Sequence, residues 1–286
     1  MKFIRTLASN LSCSSLALIC LLSTVTLTEK NLRAQNISLF KTPVLMYNTA
    51  GEITEFNIFQ IVSNPANLNS LKKFNIGVYS ERKFNLKELS NHIIVSGFSI
   101  GKIKMGLLVQ QAGASKYNQH SFGLCLSKKI GDNTSLAIQS KLLGNNISKQ
   151  LNQKYISAEI GLVTNLSKVI RIGVKAENYM SFNKQTNLNN TYVLNISTGV
   201  FYEISKQFSM NINCFKTSNE YPLFSGNMSY QVHKKIGIKS GFTSNTNSVY
   251  IEISYSGKKM NLALIMISHP ILGFTPATSI STVNDY

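Results

Sequence analysis

Arg171-Ile-Gly-Val-Lys-Ala-Glu-Asn-Tyr179 carries two patterns at once. Positions 172, 174 and 176 are apolar, while positions 171, 173, 175, 177 and 179 hold Arg, Gly, Lys, Glu and Tyr. Side chains two apart share one face of a strand, so this segment is a strand with one oily and one polar face. The same period recurs. Leu194, Ile196, Thr198 and Val200 oppose Asn195, Ser197, Gly199 and Phe201. Val249, Ile251, Ile253 and Tyr255 oppose Tyr250, Glu252, Ser254 and Ser256, and Ile103, Met105, Leu107 and Val109 oppose Lys104, Gly106, Leu108 and Gln110. About fourteen such segments follow one another: 71–80, 91–100, 102–111, 119–128, 133–143, 154–165, 169–180, 191–204, 207–216, 222–233, 235–244, 247–256, 259–268 and 272–281.

The connections have an order too. Ser127-Lys-Lys-Ile130, Ser167-Lys-Val-Ile170, Ser205-Lys-Gln-Phe208, His233-Lys-Lys-Ile236 and Gly257-Lys-Lys-Met260 repeat one short basic turn. Their spacing equals two strands plus one opposite connection, which aligns the short turns at one rim. The other rim receives longer, Asn-rich stretches such as Gly144–Gln153 and Asn183–Asn190. Short turns at one end and longer loops at the other is the pattern of an outer-membrane barrel.

Composition decides what the second face meets. Charged residues are 14% of the 286-residue chain, against about 25% in ordinary soluble domains. The polar face is mostly Ser, Asn, Gln, Gly and Thr with few charges, which suits a barrel interior better than a soluble exterior. Closure satisfies every backbone donor and acceptor, as hydrocarbon demands. The fold class expected is therefore all-β: a transmembrane antiparallel β-barrel of about 14 strands. Tyr79, Tyr117, Tyr155, Tyr179, Tyr192, Tyr202 and Tyr221 lie near segment ends and are expected in interfacial girdles.

Three regions are expected. Residues 1–34 read as a signal peptide, with a basic start (Met1–Arg5), an apolar run (Leu16–Leu27) and Ala34 before the cut. Residues 35–70 form an N-terminal segment, and residues 71–286 form the barrel. Two cysteines, Cys125 and Cys214, remain after cleavage; alternation points one inward and one toward lipid, so both are expected as free thiols.

Asn64-Pro-Ala-Asn-Leu68 ahead of the first strand, followed by Gly77-Val-Tyr-Ser-Glu-Arg-Lys-Phe84, resembles the FadL-like outer-membrane proteins of Bacteroidota. Among these are the PorV, PorQ and PorP/SprF proteins of type IX secretion. Gly123–Asp132 and Ser268–Phe274 are similar to strand–turn segments of that group. The resemblance implies a bacterial outer-membrane location and a segment folded into the lumen, which places Asn64, Pro65 and Ala66 in a plug. It implies a non-enzymatic accessory or scaffold of secretion, with a FadL-like channel for hydrophobic or small solutes as the alternative. The chain departs from the group in having no Trp.

Chemistry is sparsely provisioned. The chain has two Asp and four His, and nothing clusters as a metal site or cofactor cradle would. His120 and Ser121 are adjacent and point to opposite faces, so they make no catalytic pair. No enzyme, metal or cofactor is expected. The net charge of +17 tempts a nucleic-acid reading, but the lysines sit in turns without interleaved aromatics. Outer-membrane lipid, lipopolysaccharide and other secretion-system proteins are the partners expected, with no nucleic acid. By alternation Lys104, Glu159, Arg171, Lys175, Glu177 and Lys239 face the interior. They either set the field of a lumen or simply pair across strands and fill it.

Overall fold

A computed structural model describes residues 45, 48–52, 57–114, 117–147, 151–181, 193–218, 220–244 and 247–283. The expected signal peptide, Tyr192, the stretch Asn183–Asn190 and the terminal Tyr286 lie outside the described residues.

Fourteen strands follow in order: β1 (Phe74–Arg82), β2 (Ser90–Ile100), β3 (Ile103–Ala114), β4 (Tyr117–Ile130), β5 (Thr134–Ile147), β6 (Leu151–Asn165), β7 (Ile170–Ser181), β8 (Val193–Glu203), β9 (Phe208–Thr217), β10 (Leu223–His233), β11 (Ile236–Thr243), β12 (Ser248–Ser256), β13 (Met260–His269) and β14 (Gly273–Thr282). Each pairs antiparallel with its chain neighbours. β14 returns to β1 with Gly77 opposite Ser281 and Glu81 opposite Ala277, closing the barrel. Closure leaves no sheet edge, so every neighbouring pair is a hydrogen-bonded ladder.

The alternation follows the expected faces. Ile160 and Leu264 are 58% and 66% exposed on the outside, while their neighbours Glu159 and Ile265 are buried inside. The exposed apolar residues recur around all fourteen strands, which is the lipid-facing band of such a barrel. Cys125 points inward, Cys214 lies on the outer face, and both are free.

Two expectations are corrected. Gly144–Gln153 is largely strand: Gly144 pairs with Lys154 and Ile147 with Leu151, so β5 and β6 run on where a loop was expected. The ladder persists because its bonds are backbone bonds, indifferent to polar side chains. Four girdle tyrosines are instead luminal. Tyr79 is fully buried, and Tyr117, Tyr155 and Tyr179 share the inward parity of Gln119, Ser157 and Glu177. A buried phenol needs a partner, and two of them find carboxylates two residues away. Tyr202 and Tyr221 do face outward, 41% and 90% exposed.

The described part of the N-terminal segment, residues 45, 48–52 and 57–70, lies inside. Helix α1 (Gln60–Ser63) runs through Asn64 into a 3-10 helix, Pro65–Ser70. Ile58, Phe59, Ile61, Val62 and Leu68 form one buried cluster with Tyr79, Ile93, Val95, Ile265 and Ile267 of the wall. The barrel core is therefore plug against wall.

Candidate functional site

Asn64 joins the plug to the barrel. Its Oδ1 accepts from the Ala66 N–H at 3.0 Å and caps the 3-10 helix that Pro65 begins. Its Nδ2 donates to the Thr49 carbonyl at 3.0 Å and toward the Val174 and Leu162 carbonyls at 3.2 and 3.3 Å. Leu162 and Val174 face each other across β6 and β7, so one side chain touches two strands. Two glycines make this approach possible. A Cβ at Gly161 would collide with Asn64 Oδ1, and one at Gly173 with the Thr49 carbonyl. Pro65 and Ala66 are buried behind Asn64, and the Cys125 thiol reaches the Pro65 carbonyl at 3.7 Å.

Strands β7, β9 and β11 hold the earlier part of the plug. Asn213 Oδ1 accepts from the Thr49 N–H at 2.9 Å, and Asn211 donates to Asn48 Oδ1. Lys239 reaches the Glu52 carboxylate at 2.7 Å. Arg171 donates to the Glu52 carbonyl at 2.7 Å and to Ser70 Oγ at 3.2 Å.

The inward charges sort into networks. Glu159, Lys175 and Glu177 gather with Lys141 of β5. Lys141 bonds Glu159 and lies 3.6 Å from Glu177, and Lys175 lies 3.8 Å from each carboxylate. Ser157 and Tyr179 donate to Glu177 at 3.3 and 2.6 Å. Two cations and two anions cancel in a buried wall, where an unpaired charge is costly. Arg171 and Lys239 hold the plug instead. Lys104 stands apart, half-buried at the rim of the short turns, with Ser99 Oγ at 2.5 Å.

Sequence reasoning missed Lys141, Glu52, Glu81 and Glu252. Lys141 shares the inward parity of Gln139 and Ala137, a signal that was there to find. Glu81 accepts from Tyr79 at 2.9 Å and from Asn91 at 3.1 Å, and Gln110 donates to Asn91 at 3.0 Å. Lys83, just past β1, sits 3.8 Å from Glu81. Burial pulls the Lys83 ammonium below its ordinary pKa, and Glu81 opposes that pull. On the outer face Ser80 Oγ and His92 Nδ1 lie 2.9 Å apart in cross-strand register. No carboxylate bonds that histidine among the described residues, so the pair lacks the orienting group of a nucleophilic triad.

Two cavities flank the plug. The smaller, of about 100 Å³, lies on the loop side between Val62, Leu108, Leu143 and Phe215, beside the Lys141–Glu177 network. The larger, of about 570 Å³, lies on the short-turn side beneath Glu52 and Ser70, walled by β8 to β14.

The geometry has structural parallels. The Ralstonia pickettii toluene transporter TbuX matches with a TM-score of 0.54 at 10% identity, covering 80% of this chain and 93% of that one. The CymD monoaromatic hydrocarbon channel gives 0.56 at 11%, covering 85% and 98%. The Pseudomonas putida toluene transporter TodX gives 0.55 at 7%, covering 84% and 95%. The fold is that of a FadL-like outer-membrane barrel. No family model matches the sequence, and no curated protein matches it. At such identities the likeness is one of fold.

Proposed function

We propose that this FadL-like barrel is a non-catalytic passage for small solutes across a bacterial outer membrane, obstructed at mid-depth by its own N-terminal segment. The observation that carries this is the pair of cavities on opposite sides of a thin plug. A barrel filled by side chains would leave neither. The plug is held by apolar packing and by side-chain and carbonyl bonds, so its displacement joins the cavities without breaking a strand ladder. The matched barrels are transporters and channels for toluene and monoaromatic hydrocarbons, which supports passage over the secretion-scaffold expectation. In the outer membrane the short-turn rim faces the periplasm and the longer loops face outward toward lipopolysaccharide.

Planar-bilayer current and liposome uptake test the reading. The purified barrel, identified by a boil-dependent gel shift, is compared with Asn64→Ala. Solute flux that rises in the variant is expected. Two folded barrels that pass neither ions nor solutes would refute the passage.

A further inference from the structure

The wall of the larger cavity changes character along each strand. On β12 the inward residues run Tyr250, Glu252, Ser254, Ser256 toward the short turns. On β13 they run Ile267, Ile265, Ala263, Asn261, and on β14 Thr275, Ala277, Ser279, Ser281. The apolar half is where the plug's Ile58 and Phe59 pack. Below the plug serines line the wall. Ser209, Ser229, Ser254, Ser256, Ser279 and Ser281 all line the cavity, and each hydroxyl can donate or accept.

Charge is distributed along its depth. Glu252 is 9% exposed and lines the cavity, beside the Lys239–Glu52 ion pair at the inner end. Lys206 and Lys234 stand exposed at the mouth, and Lys72 and Glu203 also line the cavity. Neither Lys206 nor Lys234 makes an ion pair among the described residues. Lys235, next to Lys234, and Lys258 and Lys259 on the β12–β13 turn are exposed and do not line the cavity. A concave polar site of about 570 Å³ is within the range of small-molecule sites, roughly 300–1,000 Å³. Its low-dielectric walls focus the field of the lysines at the mouth.

We infer that this vestibule binds a small polyhydroxylated monoanion, such as a sugar acid. Its carboxylate sits at Lys206 and Lys234, and its hydroxyls enter the serine-lined interior. Glu252 accepts hydrogen bonds from the hydroxyls there and keeps the anionic end from entering first. The inference rests on the passage reading and names its solute, and it differs from the hydrocarbons named for the matched barrels. A hydrocarbon would leave the serine wall dehydrated and unpaired.

Isothermal titration of the refolded full-length barrel tests it with three probes. Glucuronate carries both features, glucose the hydroxyls alone, and benzoate the charge alone. Glucuronate is expected to bind at least tenfold more tightly than either of the others. Lys206→Gln/Lys234→Gln should reduce glucuronate to the level of glucose and leave glucose unchanged. Lys258→Gln/Lys259→Gln removes the same charge from the same rim and should leave glucuronate unchanged. Three equal affinities, absence of glucuronate binding at millimolar concentration, or equal losses in the two double variants would overturn the assignment. Bilayer flux separates the two proposals. Flux without glucuronate preference sinks this one alone, and glucuronate binding without flux sinks the passage while leaving the site.

Discussion

Replacing Asn64 by Ala should free the plug while sparing the barrel. The side chain accepts one bond from Ala66 and offers two hydrogens to three carbonyls at 3.0, 3.2 and 3.3 Å. Three such bonds contribute about 0.5–1.5 kcal/mol each in net terms, and stranding the buried Thr49 carbonyl adds to the loss. The expected cost is about 2–4 kcal/mol, which multiplies the undocked population roughly 30- to 700-fold at 1.4 kcal/mol per decade. Hydrogen exchange reads this directly, because protection falls by the same factor where reclosing is faster than exchange. Amides of residues 57–71 should lose protection by that amount, while β10 to β12 keep theirs. Asn64→Asp keeps the oxygen for Ala66 but turns an anion toward three carbonyls, so it should exchange faster than Asn64→Ala. Unchanged protection over 57–71 in Asn64→Ala would refute the assignment of Asn64 as the staple.

Lys141→Met leaves Glu159 and Glu177 sharing Lys175 alone, and breaking such a buried network costs about 3–5 kcal/mol. The urea midpoint of the boil-dependent gel shift should drop, and Glu159→Gln in the same background should recover part of the loss; a wild-type midpoint in Lys141→Met would show the network to be solvated. The two thiols report on different compartments. A lipid-soluble maleimide should label Cys214, while a water-soluble one should reach Cys125 only when Asn64→Ala lifts Pro65 away; labelling of Cys125 in the wild type would contradict its burial beneath the plug.

The strands were legible because two solvents impose two faces. In Arg171–Tyr179 the oily and polar parities separate without reference to any partner strand, and the same held around the circuit. Register was not legible, and the ion-pair network depends on it. Lys141 finds Glu159 on the next strand and Glu177 one strand further, a meeting that no spacing within one segment announces. The tyrosines misled for a different reason. Tyr79 and Glu81, and likewise Glu177 and Tyr179, are two apart and therefore share a face, so a partner for each phenol was visible in the sequence. Position near a strand end outweighed that pairing, and the buried hydroxyl reversed it. Glu52 escaped because the plug segment has no period to read, and its role appears only where the chain meets Lys239 and Arg171.

Charge in this lumen follows water. Lys141, Lys175, Glu159 and Glu177 lie in the buried wall and cancel within the network, because each would otherwise bear several kcal/mol of desolvation. Glu52 and Lys239 pair where the plug meets the vestibule. Lys206 and Lys234, which make no ion pair among the described residues, stand at the mouth, where solvent covers the cost. On β13 the wall turns from Ile267, Ile265 and Ala263 to Asn261, and on the paired β14 from Ala277 to Ser279 and Ser281. The plug and its ion pair end where the larger cavity opens, and Lys206 and Lys234 stand beyond it at the mouth. Hydroxyls line both halves of the lumen, with Ser225, Thr243, Ser248 and Thr275 toward the loop side, so the cavity and its rim lysines, rather than the serines alone, set the short-turn end apart.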